Sequence, residues 1–222
     1  MSDKVQGRCA VYTAIIGGYD RIKIPTHQHE QLDFFCFSDD PETASQPWAH
    51  RKIPYQHNDK TRQARYLKLH PHLLFPDYEW SIWIDGSLSI VGNLEVLLDE
   101  VKKTGAFGVY AHAKRDCLYQ AAANCIDKKK DDPRLIEQQM AHYQSVGFPE
   151  HQGLVASGVL VRQHHKTDII DINEKWWQQI ERFSRRDQLS FNYVCWREGF
   201  NYYAIPERIG DGRFFRRNPH NS

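Results

Sequence analysis

The residues with the most chemical content follow apolar runs. In residues 80–90, WSIWIDGSLSI, Ile82 and Ile84 alternate with Ser81 and Trp83 before Asp85, Gly86 and Ser87 take over, the pattern of a strand running out into a turn. A carboxylate at a strand exit is a site candidate, because ligands of open α/β sheets sit beyond the carboxyl ends of the strands, and Gly86 lets a bulky charged group approach the backbone. Asp-Gly is also an ordinary turn dipeptide, so both readings stand. Residues 32–38, LDFFCFS, repeat the arrangement and deliver Asp39 and Asp40. These acids either contact a ribose or base or start the loop over 41–48. Residues 8–20 read as a first strand ending in Gly17-Gly18, which suits a nucleotide or a plain turn but lacks the G-x-G-x-x-G dinucleotide fingerprint.

Cations come next. A helix is expected from a cap at Asn58 or Asp59 to just before Pro71. At about 100° per residue it places Thr61, Arg65, Lys68 and His72 on one stripe with Arg62 beside it. That stripe is either a solvated face or a border of the Asp85 crevice. In residues 153–161, GLVASGVLV, Ser157-Gly158 would let a ligand come close and suits a pocket wall. His112, in HAKRDCLYQAAANCI, is a site candidate or a satisfied loop residue. Asp187, in RRDQ, is a site candidate or a helix N-cap. The end of the chain carries Gly210, Gly212, Arg213, Arg216, Arg217 and His220, a tail that is disordered or folds over a bound anion.

The elements that must position these residues alternate strand with helix. Asn93 caps a helix with Leu94, Leu97, Leu98 and Val101 on one face, ended by Gly105. Pro133 opens a helix over 134–146. Residues 168–184 are the clearest amphipathic helix, another helix starts at 185–188, and 201–205 form a late strand. The alternation implies a single α/β domain over 1–222 with a mainly parallel, Rossmann-like central sheet flanked by helices. A chain of 222 residues with 41% apolar and 26% charged residues has enough material for one well-buried core. Its 29 Lys and Arg against 28 Asp and Glu give no global field for nucleic acid. Five widely spaced cysteines fit neither a disulfide framework nor a zinc knuckle and point to a reducing, cytoplasmic setting. No run is long enough to span a bilayer, which leaves peripheral membrane contact open.

Taken together, VYTAIIGGYD, DFFCFSDD, KTRQARYLKLHPHLLFPDYEWSIWIDGS, AHAKRDCLYQAA, ASGVLVRQHH and RDQLSFNY resemble the plant mucilage-related hexosyltransferase family and its bacterial relatives. The resemblance implies a glycosyltransferase-A fold, with a nucleotide-donor half over about 8–110, an acceptor half over about 111–209 and a closing tail over 210–222. It implies transfer of a hexose from a nucleotide sugar to a hydroxyl of a glycan or glycolipid. It also implies a divalent cation, Mn or Mg, on Asp85, with Ser87 where an Asp-x-Asp motif has its second acid and His220 as a late metal ligand. Thr13, Tyr19 and Asp39 are then expected nucleotide contacts, Arg62, Arg65, Lys68, Arg213 and Arg216 cations for the diphosphate, and Asp187 and Gln188 contacts to the donor sugar. Ser157, Gly158 and His112 become walls of the sugar or acceptor site. Because one plant relative is described as an alkaline ceramidase, a metal-assisted amidase is the competing enzyme. A catalytically silent nucleotide- or glycan-binding module is the third reading, which Ser87 keeps open.

Overall fold

The computed structural model describes residues 8–27 and 30–219. In chain order its strands are β1 (Cys9–Ile15), β2 (Leu32–Ser38), β3 (Trp48–Arg51), β4 (Trp80–Ile84), β5 (Leu88–Ile90), β6 (Phe107–Ala111), β7 (Val155–Arg162), β8 (Tyr203–Ile205) and β9 (Phe215–Arg217). The helices are α1 (Lys60–Leu69), α2 (Pro71–Leu74), α3 (Leu94–Thr104), α4 (Leu118–Asp127), α5 (Pro133–Ser145), α6 (Thr167–Arg182) and α7 (Phe191–Glu198). Seven strands form the central sheet in the order β3-β2-β1-β4-β7-β6-β8, and β5 pairs with β9 in a separate ribbon.

Local signals set most boundaries. The Asp59 carboxylate accepts from the backbone N–H groups of Thr61 and Arg62 at 2.8 and 3.2 Å, a cap that stabilises α1 by about 1 kcal/mol. Pro71 cannot continue the ladder, so α1 ends and α2 begins at a new angle. This breaks the expected stripe, and His72 turns to Glu174, 3.5 Å away, instead of bordering the crevice. Asn93 caps α3 through Glu95 N–H, and Gly105 ends it.

Both faces of the sheet are covered. β1 reads as a continuous apolar run because Tyr12 packs toward the layer of α1 and α6, while Val11 and Ile15 pack toward α3 and the β5–β9 ribbon. From α6, Ile169, Ile172, Trp176 and Ile180 are buried against the first layer.

The chain passes from β1 outward to β2 and β3, then returns through α1 to place β4 on the other side of β1. The order therefore reverses between β1 and β4, and a crevice opens at the carboxyl ends of these two parallel strands. The sheet is mainly parallel as expected, except that β7 runs antiparallel to both β4 and β6. This inversion matters for the site. It brings the start of β7, with Ser157 and Gly158, to the end of the sheet where β4 delivers Asp85 and β6 delivers His112. Among the described residues no helix is long and apolar enough to cross a membrane.

Candidate active site

The crevice is a cleft of about 300 Å³ lined by the exit of β1 from Ala14 to Gly17, Tyr19, the α1 residues Lys60, Thr61, Ala64 and Arg65, and Trp83, Asp85, Gly86 and Ser87 at the β4 exit. A second hollow of about 490 Å³ adjoins it, sharing Ile16 and Lys60 and continuing past Asp39, His50, Lys52 and Asn58. Asp39 stands between them. It accepts from Gly17 N–H at 2.9 Å and pairs with Lys60 at 3.2 Å. The Gly17 hydrogen bond holds its carboxyl below the usual range, with Lys60 adding to the effect. Gly17 and Gly18 both have positive φ, 69° and 66°, so this turn requires glycine.

Asp85 occupies the inner end of the cleft, its side chain 30% exposed. Its Oδ1 accepts from Trp83 Nε1 at 2.7 Å and lies 3.6 Å from Arg65 and 3.5 Å from Lys68. Its backbone N–H donates to the Gly158 carbonyl at 2.8 Å. A side chain at 158 would begin 3.4 Å from Asp85 Oδ2 and 3.0 Å from Ile209, so glycine leaves room beside the free face of the carboxylate.

Behind Asp85 lies a second carboxylate, Asp187, which is 3% exposed. It pairs with Lys68 at 2.5 Å and Arg65 at 3.1 Å and accepts from Ser157 Oγ at 2.8 Å. Burial alone would raise its pKa, but the Arg65 and Lys68 charges outweigh burial and hold the carboxyl far below the ordinary range. Burial also works against Arg65, and there the two carboxylates win and raise it. Two cations and two carboxylates thus form a neutral tetrad with one open corner, Asp85. Asp187 is no simple N-cap, since its side chain is spent on this tetrad. Gln188, half-buried, donates from Nε2 to the Val155 carbonyl at 2.6 Å.

Several expected contacts are elsewhere. Thr13 is 2% exposed, lies within β1 one turn of the pleat before Ile15, and does not itself line the cleft. Arg62 points along α1 to the end of α6, donating to the Ile180 and Phe183 carbonyls at 3.1 and 2.7 Å, where a cation complements unpaired helix carbonyls. Lys68 is fully buried, so it positions the two carboxylates and does not reach a ligand. Arg213 is held on the surface by Glu207 and Glu100. Arg216 is exposed and faces Ser89 across the ribbon. The tail does not hang free: Phe215–Arg217 pair with β5, and Asn218 donates to the Ser87 carbonyl at 2.8 Å and to Ser89 Oγ at 2.8 Å. His220 lies outside the described residues. Sequence reasoning missed Trp83, Lys60 and Asn218. Trp83 was legible as a strand residue, but nothing in its spacing marks an indole N–H aimed at Asp85.

The family model described as "TOD1/MUCI70, glycosyltransferase-like domain" matches residues 49–202, more than half of the chain. The chain belongs to the TOD1/MUCI70 glycosyltransferase-like family. A relative from Arabidopsis thaliana, "Probable hexosyltransferase MUCI70", is 27% identical over 213 residues, covering 83% of this chain and 36% of that protein. The chain thus spans about a third of the curated relative's length. Among solved structures, mouse xyloside xylosyltransferase 1 superposes with a TM-score of 0.54 at 11% identity, covering 89% of this chain and 84% of that one. The bifunctional glycosyltransferase WbbM gives 0.55 at 12% identity, covering 93% and 40%. These likenesses show the fold, and the TOD1/MUCI70 domain here is glycosyltransferase-A-like.

Proposed function

We propose that this TOD1/MUCI70 domain is a glycosyltransferase that moves a hexose from a nucleotide sugar to a hydroxyl of a glycan or glycolipid. The observation that carries the reading is the meeting of the β1 exit, the α1 face and Asp85 in one cleft at the strand-order reversal, within a chain of this family. The nucleoside fits along Tyr19, Gly17 and Asp39, and its diphosphate reaches the corner of Asp85 and Ser87. In the transfer, the bond from the anomeric carbon to the diphosphate oxygen breaks as the acceptor oxygen bonds to that carbon. The nucleoside diphosphate leaves with the electron pair, and the acceptor's proton passes to it or to solvent. Arg65 supplies fixed positive charge beside the leaving group, and Gln188 and Asp187 form the floor under the sugar.

The residues present fit a divalent cation of one kind. Asp85 Oδ2 and the Ser87 hydroxyl are hard oxygen donors, which suit Mg or Mn, yet one carboxylate and one hydroxyl are too few for a resident ion. Such an ion would be held jointly by these two residues and the diphosphate, where it would neutralise charge developing on the leaving group.

The cleft gives the amidase reading no open metal site beside a general base. Among the described residues the one grouping with metal-ligand spacing, Cys117, Glu150 and His151, lies outside the cleft lining. The five cysteines are free and buried, which supports a reducing compartment such as the cytoplasm.

Thermal melting tests the donor site. A nucleoside diphosphate at about 100 times its Kd stabilises the fold by roughly 2.7 kcal/mol, and chelation of divalent ions is expected to reduce the shift. If none of the common nucleoside diphosphates, with or without Mn or Mg at millimolar concentration, moves the melt, the donor reading fails.

A further inference from the structure

Most cations around the cleft are neutralised. Arg62 pairs with Asp59, Arg65 and Lys68 with Asp85 and Asp187, Arg185 with Asp59 and Asp131, and Arg213 with Glu100 and Glu207. Five others differ. Lys114 and Arg115 follow β6, Lys130 lies between α4 and α5, Arg186 precedes Asp187, and Arg217 ends β9. None of the five forms an ion pair with a carboxylate among the described residues. Unpaired surface cations are common in this chain, so what distinguishes these five is where they are placed.

The fold gathers them on one rim. His112 N–H donates to the Leu154 carbonyl at 2.8 Å while Gln188 donates to the adjacent Val155 carbonyl at 2.6 Å, so the loop after β6 abuts Gln188. Asp131 accepts from Ser184 Oγ at 2.6 Å and from Arg185 N–H at 2.9 Å, which brings the α4–α5 turn against Arg186. Arg217 stands across the ribbon from Leu88, next to the Asp85 turn. Two details point to a ligand. The Nε of Arg186 is shut away from solvent with no hydrogen-bond partner. The Nδ1 of His112 accepts from Lys114 and Arg115 N–H at 3.2 and 3.0 Å, leaving Nε2 as the ring's remaining polar atom.

The electrostatics agree with the geometry. His112 is pulled below its ordinary value by burial and then by Arg115, Arg217 and Lys114. Lys130 is lowered by burial and then by Arg186, with Lys128 and Arg217 adding to it and only the Cys125 thiol opposing. Arg217 therefore acts on both sides of the rim. The donor diphosphate accounts for Arg217, which stands beside the Asp85 turn, but not for the other four. In the order β1-β4-β7-β6, the loop after β6 lies two strand spacings, roughly 10 Å, from the β4 exit, on the far side of Asp187 and Gln188 from the nucleotide cleft.

We propose that this rim is a subsite for an acidic acceptor, a glycan carrying a carboxylate or phosphate close to the hydroxyl that receives the sugar. Guanidinium forks match both anions with paired hydrogen bonds, and although Arg186 also feels the Asp187 carboxylate and Arg115 donates to Asn124 Oδ1 at 3.2 Å, a neutral glycan would bring no charge to offset the rim. The inference rests on the glycosyltransferase reading and deepens it by naming the acceptor class.

Calorimetry with three probes tests it: an oligouronate, a phosphorylated mannan oligomer and the neutral mannan oligomer of equal length. One or both acidic probes are expected to bind more tightly than the neutral one, with an affinity that falls as salt is raised. Which acidic probe binds assigns the anion. Arg115→Gln combined with Lys130→Gln is expected to weaken acidic binding by about tenfold or more, while nucleoside diphosphate binding and the melting temperature hold. Arg115→Lys should retain part of the affinity. Acidic probes that bind no better than the neutral one, or an affinity untouched by the double variant, would overturn the subsite. Equal loss of nucleoside diphosphate binding would also overturn it, by giving these cations to the donor. Acidic binding that the double variant abolishes, in a protein that binds no nucleotide, would leave the subsite standing and sink the glycosyltransferase reading alone.

Discussion

At the scale of single residues, Asp85 is distinguished from the other acids by being held without being used up. Trp83 fixes one oxygen, and Arg65 and Lys68 stand 3.6 and 3.5 Å from the same atom, while Gly158 keeps the other side open. Asp187 has the opposite character, fully enclosed and fully paired, so its contribution is to orient Arg65 and Lys68. Asp85→Asn keeps an oxygen for Trp83 but removes the charge that a cation or its substitute needs. Turnover is expected to fall by about a hundredfold or more, in a protein that still folds but melts somewhat lower, because Arg65 and Lys68 are left with one carboxylate between them. Measured transfer that survives unchanged would make Asp85 a turn residue, and a protein that no longer folds would make it structural.

At the scale of elements, the strands and helices with long periodic patterns were legible. The cap at Asp59, the stop at Pro71, the Asn93-to-Gly105 helix and the 168–184 stripe all follow from side chains within a few residues of the boundary. β3, β5 and β9 were not legible as strands, because each has three or four residues and owes its existence to a distant pairing partner. The same distinction explains the site. Asp85 and Asp39 announce themselves at strand ends, whereas the tetrad joins α1 to a residue 119 positions away, which no spacing encodes. Arg62 was misassigned because a helix stripe shows which residues share a face and not what faces them. The tail shows a further dependence on close fit: a Cβ at Gly92 would sit 2.3 Å from the Arg213 carbonyl oxygen. Gly92→Ala must therefore displace the strand that brings Asn218 to Ser87. It is expected to cost about 1–3 kcal/mol and to weaken nucleotide-dependent stabilisation as well. Gly105→Ala, which meets nothing within 4 Å, serves as the control. If nucleotide binding in the Gly92 variant matches that of the control, the docked tail has no part in shaping the Ser87 corner.

At the scale of the whole molecule, the end of the sheet opposite Asp85 carries a cluster of buried and half-buried imidazoles, His70, His72 and His164. His164 is fully buried, with Nε2 3.1 Å from the Phe75 carbonyl and Nδ1 lacking any partner, so the ring is neutral and donates from Nε2. Burial pushes its pKa down to about 3, with His165, Arg162 and His72 adding to the effect against the Phe75 carbonyl. His70 and His72 are lowered too, burial again leading, despite Glu174 beside them. A folded-state pKa below the unfolded value of about 6.5 means that, between these two values, the unfolded chain binds a proton that the native protein refuses. Stability from His164 is therefore complete above pH 6.5 and is lost as pH falls toward 3, amounting to about 2 kcal/mol by pH 5. His164→Gln retains an N–H for Phe75 and removes the titration. Urea unfolding at pH 7.5 and pH 5 should show the wild type losing about 2 kcal/mol more than the variant over that interval. Equal losses in the two proteins would mean that the folded His164 accepts its proton as readily as the unfolded one does, and the acid sensitivity would then have to reside in His70 and His72.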